Sequence, residues 1–197
     1  MMNGESCMTG SSPTRRSVFL VGFMGAGKST VGQALASRLG WAFYDLDLII
    51  EERERTSVAD LFAAAGEAGF RELERVALAD LLENELRQAD SVVALGGGTF
   101  AQAENRKILR RFEAMTVLLN APLEELRRRC NESGGQRPLA REGAQFEQLF
   151  ESRRGAYNLA DFQVETGGKA VEDVVAEIEQ WISTANSDQV RKAEVRQ

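Results

Sequence analysis

Ten residues, "VGFMGAGKST" from Val21 to Thr30, restrict what this chain can fold into more than any other stretch. Three glycines, one lysine and two hydroxyls stand between an apolar run and a segment with helical spacing. Gly22, Gly27, Lys28 and Ser29 fit G-x-x-x-x-G-K-[ST], a loop that follows a strand and opens a helix. Glycines let the backbone curl so that successive N–H groups converge on one anion, and the helix beginning near Lys28 adds roughly half a positive charge at its N-terminus. Lys28 then reaches the β and γ phosphates of a nucleotide. Ser29 offers its hydroxyl to a Mg2+ that bridges them, and Thr30 lies on the α-phosphate side.

The surroundings of this loop repeat its pattern. Short apolar runs at Val18 to Val21, Ala42 to Tyr44, Val92 to Leu95, Thr116 to Leu119 and Phe162 to Val164 read as strands. Their continuous apolar character suits a sheet covered on both faces. Between them, Val31, Leu35 and Leu39, then Phe70, Leu73, Ala77 and Leu81, then Val171, Val174, Ile178 and Ile182 fall at helical spacing. Alternation of this kind predicts an α/β fold built on a parallel sheet. At 197 residues and 43% hydrophobic content, one domain is expected. It spans residues 17–183, with polar tails at 1–16 and 184–197 expected to be disordered. A helical lobe is expected at about residues 47–86, where helices follow one another without a strand, and a loop containing "SGGQRPLAREG" forms a lid at about residues 131–145.

Composition removes whole classes of function. A net charge of −6 argues against nucleic acid bound through a broad basic surface. No apolar run approaches the roughly 18 residues of a membrane span, and the N-terminus has no apolar signal core, so a cytoplasmic protein without a membrane partner is expected. Cys7 and Cys130 are the only cysteines, too few for a thiolate metal site. The absence of histidine excludes Ser-His-Asp and Cys-His chemistry and leaves proton transfer to carboxylates, lysine or water. Of 24 basic residues all but Lys28, Lys107, Lys169 and Lys192 are arginines, suited to bidentate anion contacts.

Other candidates stand where doubly wound sheets bind ligands, at the C-terminal strand edge. "FYDLD" puts Asp45 and Asp47 at the end of the second strand, two apart and so on one face of an extended chain. One can order the water shell of a metal while the other orients or deprotonates an attacking hydroxyl; alternatively they cap the helix beginning near Leu48. "ALGGGTF" sets Gly96, Gly97 and Gly98 after the third strand, as a bed for a ligand or as a tight turn. Arg71, Arg137, Arg153 and Arg154 are each either surface decoration or part of an anion clamp. An arginine on a lid that covers a transferred phosphoryl contributes about 10³ to 10⁵ in rate.

Six ordered segments, "GFMGAGKST", "DLD", "GFRELE", "LGGGTF", "QRPLA" and R-x-x-x-Y, resemble the shikimate kinases over about residues 17–183. The resemblance implies a P-loop fold like that of nucleoside monophosphate kinases, with a five-stranded parallel sheet in the order 2-3-1-4-5 and helices on both faces. It implies ATP-dependent phosphorylation of the shikimate 3-hydroxyl, a step toward aromatic amino acids, by a monomer. Carried over by position, Gly25, Ala26, Gly27, Lys28, Ser29 and Thr30 hold the ATP phosphates. Ser29 and, indirectly, Asp45 hold Mg2+. Asp47 is the base or orienting group on the shikimate hydroxyls. Arg71, Arg153 and the Gly97 backbone take the shikimate carboxylate and ring, with Glu74 steadying Arg71 as an i,i+3 partner. Arg137 closes over ATP as the lid residue, and Lys169 matches an adenine-side contact. "RRGAY" offers Arg154 as an alternative to Arg153.

Three other readings compete. A gluconate kinase shares the cradle, though that family, as it is recognised, carries a histidine soon after its second aspartate. A nucleoside monophosphate kinase also phosphorylates an anion, but the paired aspartates suit a polyhydroxylated ring better. A non-catalytic ATP-binding module would not need Lys28, Ser29, Asp47 and Arg137 together.

Overall fold

Five apolar runs pair in parallel to form the centre of the fold, seen in a computed structural model that describes residues 16–132 and 143–194, the side chains of 186–194 excepted. The strands are β1 (Ser17–Val21), β2 (Ala42–Asp45), β3 (Ser91–Ala94), β4 (Met115–Asn120) and β5 (Phe162–Glu165). Their order across the sheet is β2-β3-β1-β4-β5, the 2-3-1-4-5 order of a P-loop fold. Every residue of β1 and β3 is buried. Unbroken apolar strands of this kind need cover on both faces, which the intervening helices give.

The helices are α1 (Lys28–Leu39), α2 (Leu46–Glu54), α3 (Val58–Asn84), α4 (Ala103–Arg111), α5 (Leu123–Glu132), α6 (Gly143–Tyr157) and α7 (Val171–Glu194). α1 and α7 pack side by side against the sheet. α2 and α3 follow one another without a strand, and Gly66 breaks α3 into two helical segments, which makes three in all where two or three were expected. A parallel sheet brings all its strand C-termini to one edge. The register places Asp45 opposite Ala94, and Leu20 opposite both Ala94 and Val117, so the loops after β1, β2 and β3 emerge side by side.

Three boundaries differ from those expected from sequence. Arg16, assigned to the N-terminal tail, accepts a backbone bond from Ser91, pairs with Asp90 and lies over the Trp41 ring. At the other end α7 runs on to Glu194, through a segment expected to be a disordered tail. The chain after Gly168 contains neither glycine nor proline, so nothing breaks a helix once the apolar positions from Val171 to Ile182 have started it. The helix after β2 starts at Leu46, not near Leu48.

Candidate active site

The loop after β1 takes its shape from two glycines that no other residue can replace. Gly22 and Gly25 have φ of 144° and 80°. A Cβ on either would stand 2.6 Å from a backbone carbonyl oxygen, that of Leu119 or that of Leu126. The curl is pinned by the Ala26 amide on the Phe23 carbonyl (3.2 Å). α1 then begins at Lys28 with no side-chain cap and no acidic residue in its first turn, so the partial positive charge of its N-terminus faces the loop. Lys28 arches back over that loop, its Nζ donating to the carbonyls of Gly22 (3.0 Å) and Phe23 (3.1 Å). Gly25, Ala26, Gly27, Lys28, Ser29 and Thr30 form one continuous cradle.

Asp45 and Asp47 do not share a face of an extended strand. β2 ends at Asp45, which is the N-cap of α2: its Oδ1 accepts from the Asp47 amide at 3.1 Å. Its other oxygen, Oδ2, accepts from the Ser29 hydroxyl at 2.5 Å. The capping alternative therefore holds for Asp45, and the same carboxylate also reaches the cradle. Ser29 and Asp45 together present hard oxygen donors at the cradle rim, the chemistry Mg2+ favours when it shares its shell with waters and phosphate oxygens. Asp47, the second residue of α2, turns instead toward the loop after β3.

That loop is the meeting point of the site. A Cβ at Gly96 would lie 2.6 Å from Asp47 Oδ1, 2.8 Å from Glu74 Oε1 and 2.9 Å from Thr99 Oγ1. One at Gly98 would strike the Arg71 guanidinium, and one at Gly97 would stand 3.6 Å from the Met24 amide of the cradle and 3.7 Å from Arg153 Nη1. The triplet is thus a bed on which Asp47, Arg71, Arg153 and the cradle converge.

Arg71 is held on several sides. Its Nη1 donates to Glu74 Oε2 at 2.9 Å, its Nη2 to Glu67 at 3.3 Å, and its guanidinium lies 5.7 and 5.6 Å from the stacked rings of Phe62 and Phe70. Its Nε is buried without a hydrogen-bond partner, so one donor is not committed to protein. Glu74 is 0% exposed and receives a second bond from the Thr99 hydroxyl, at 2.5 Å. Two charge-assisted or hydroxyl contacts are what make a buried carboxylate affordable.

On α6 the two arginines separate. Arg153 is 8% exposed, donates from Nη1 to the Gly97 carbonyl at 3.1 Å and sits over the Phe23 ring of the cradle loop. Arg154 faces away, its side chain 63% exposed beside Glu151. Tyr157, one turn on, also donates its hydroxyl to the Gly97 carbonyl. Burial pushes its phenol up to about 12, against the pull of Arg153 and Arg71. Lys169 is drawn onto Glu177 of α7 at 2.5 Å. Arg137, and most of the expected lid, lie outside the described residues.

Sequence reasoning did not single out Thr99 or Phe62. A hydroxyl directly after three glycines, and an aromatic eight residues before Phe70 across the Gly66 break, were the available signals. The burial of Arg153 rather than Arg154 was also legible, since Phe146, Arg153 and Tyr157, the buried residues of α6, follow one another at intervals of seven and four.

The chain is similar to known proteins over most of its length. The shikimate kinase family profile matches residues 24–183. A shikimate kinase of Geobacter metallireducens is 43% identical over 166 residues, covering 83% of this chain and 89% of that protein. Among solved structures, the shikimate kinase from Acinetobacter baumannii in complex with shikimate superposes with a TM-score of 0.77 at 34% identity, over 87% of this chain and 95% of that one. A gluconokinase from Sinorhizobium meliloti shares the fold at a TM-score of 0.63 but only 17% identity, over 91% of this chain and 98% of that one. With a matching profile over most of its length and relatives at this level of identity, the chain belongs to the shikimate kinase family.

Proposed function

We propose that this protein transfers the γ-phosphoryl group of ATP to the 3-hydroxyl of shikimate, giving shikimate 3-phosphate and ADP. The observation that carries the reading is the convergence of Asp47, Arg71 and Arg153 on Gly96, Gly97 and Gly98, in contact with the phosphate cradle. A carboxylate, two guanidiniums and a bare backbone beside a triphosphate site suit an anionic, polyhydroxylated acceptor.

In this reading Arg71 and Arg153 hold the substrate carboxylate with the Gly97 backbone. Asp47 accepts the proton of the hydroxyl as its oxygen bonds to the γ-phosphorus and the bond to the β-phosphate oxygen breaks. With no histidine in the chain, a carboxylate is the natural acceptor. Lys28 and the cradle amides, from Gly25 to Thr30, neutralise charge on the phosphates. Ser29 and Asp45, joined at the cradle rim, would hold Mg2+, and the ion would supply neutralisation of phosphate charge. Residues 47–86 act as the acceptor lobe, and residues 131–145 as a lid whose Arg137 covers the transferred group. Lys169 serves the adenine side, for which it must leave Glu177. The protein works as a cytoplasmic monomer on these two small molecules. Among the described residues no helix is long and apolar enough to cross a membrane.

The test is ADP release with Mg-ATP and a panel of acceptors. Shikimate supports turnover, and gluconate and nucleoside monophosphates do not. Turnover with either of those and none with shikimate would reassign the acceptor.

A further inference from the structure

Three consecutive residues without a Cβ leave a backbone with little intrinsic restraint, yet a ligand bed needs a fixed one. The three carbonyls of the triplet are held in two different ways. Those of Gly96 and Gly98 close local turns, accepting from the amides of Thr99 and Ala101, each at 3.1 Å. That of Gly97 is held from 56 and 60 residues away, by Arg153 Nη1 and the Tyr157 hydroxyl, both on α6.

Resting on the reading of Arg153 and Gly97 as substrate contacts, we propose that Tyr157 is a positioning residue for the acceptor, its hydroxyl fixing the Gly97–Gly98 peptide and leaving Arg153 free to meet the substrate anion. A trans peptide is planar, with its C=O and N–H pointing in opposite directions. Fastening the Gly97 carbonyl to α6 therefore turns the Gly98 N–H away from α6. Arg153 alone is a poor fastener, because a carboxylate competes with a neutral carbonyl for its N–H groups and charge-assisted bonds are about twice as strong. The tyrosine has no such competitor. It is 3% exposed, and its raised phenol keeps it a donor throughout the range in which an enzyme of this kind works. It shares the Gly97 carbonyl with Arg153, which puts it in the same site.

The test is Tyr157→Phe, which keeps the ring and removes only the donor. One net hydrogen bond corresponds to a rise in the shikimate KM of roughly 3- to 10-fold, with kcat and the ATP KM each within about twofold of wild type. An unchanged shikimate KM, or equal rises for both substrates, would overturn the proposal. If the phenylalanine variant does not fold, the Tyr157 hydroxyl proton is sought by NMR in the wild-type protein, where a slowly exchanging signal is expected and its absence would overturn the tether. A ligand-free measurement separates this idea from the reading it rests on. Amide hydrogen exchange at Gly97 and Gly98, followed by NMR, should quicken in the variant; unchanged exchange would sink the tether. A wild-type protein inert toward shikimate would sink only the assignment of the acceptor.

Discussion

The phosphate cradle and the acceptor bed meet at the same sheet edge, but they are built in opposite ways. The cradle is ten contiguous residues, and its geometry lies in the backbone: glycines at positive φ, carbonyls of neighbouring segments pressed against them, and a helix start. The bed collects side chains from α2, α3 and α6 onto a glycine triplet, through contacts spanning up to 60 residues of sequence. A site written in backbone fails when a side chain is added. A site assembled from side chains fails when a partner is taken away.

That contrast orders the expected effects of mutation. The largest is expected at Asp47, the carboxylate proposed to take the proton of the acceptor hydroxyl. Asp47→Asn should lower kcat by about 10²- to 10⁴-fold while leaving ATP affinity within about twofold, checked by steady-state kinetics and nucleotide titration. A parallel loss of nucleotide affinity would mean that cradle and bed are not separable. Next is Gly25→Ala, in which a single methyl meets the Leu126 carbonyl at 2.6 Å in a backbone conformation hostile to it. ATP affinity should fall by about 100-fold, with shikimate binding retained.

Arg71→Lys sharpens the comparison on the side of the bed. Lysine keeps a charge beside buried Glu74 but loses the planar fork. The shikimate KM should rise about 10-fold or more, and the ATP KM should hardly move. Equal changes in both would remove Arg71 from the acceptor side.

The smallest effect is in stability. The folded-state phenol of Tyr157 lies near 12, above the ordinary value near 10. Folding thus favours the protonated form, so the contribution is fully present below pH 10 and is lost as pH rises toward 12. Denaturant melts of wild type and Tyr157→Phe should differ by a constant amount up to about pH 10, and wild type should lose ground to the variant above it. A difference that stays flat to pH 12 would contradict the burial argument.

How much of this was legible beforehand follows the same division. The cradle could be read outright, because its residues are contiguous and each glycine answers a local need. The sheet was equally plain, since continuous apolar runs alternate with helical spacing. The aspartate pair was misjudged in detail: Asp45 stops β2 by capping α2, so extended geometry does not continue to Asp47. Polar composition also suggested a tail where α7 continues, since polarity does not end a helix that lacks a breaker. The Thr99 contact on Glu74 could not be seen in sequence. It joins residues 25 apart, and only the packed fold brings a hydroxyl to a carboxylate that is wholly buried.

The central claim is that the cradle and the bed face each other, so that phosphate leaves one and arrives on the other. A single-turnover reaction with γ-labelled ATP, excess enzyme and shikimate tests it directly. The label should appear in a shikimate phosphomonoester at the rate at which ADP forms. Label released only as inorganic phosphate, or retained in ATP while both ligands are bound, would contradict it.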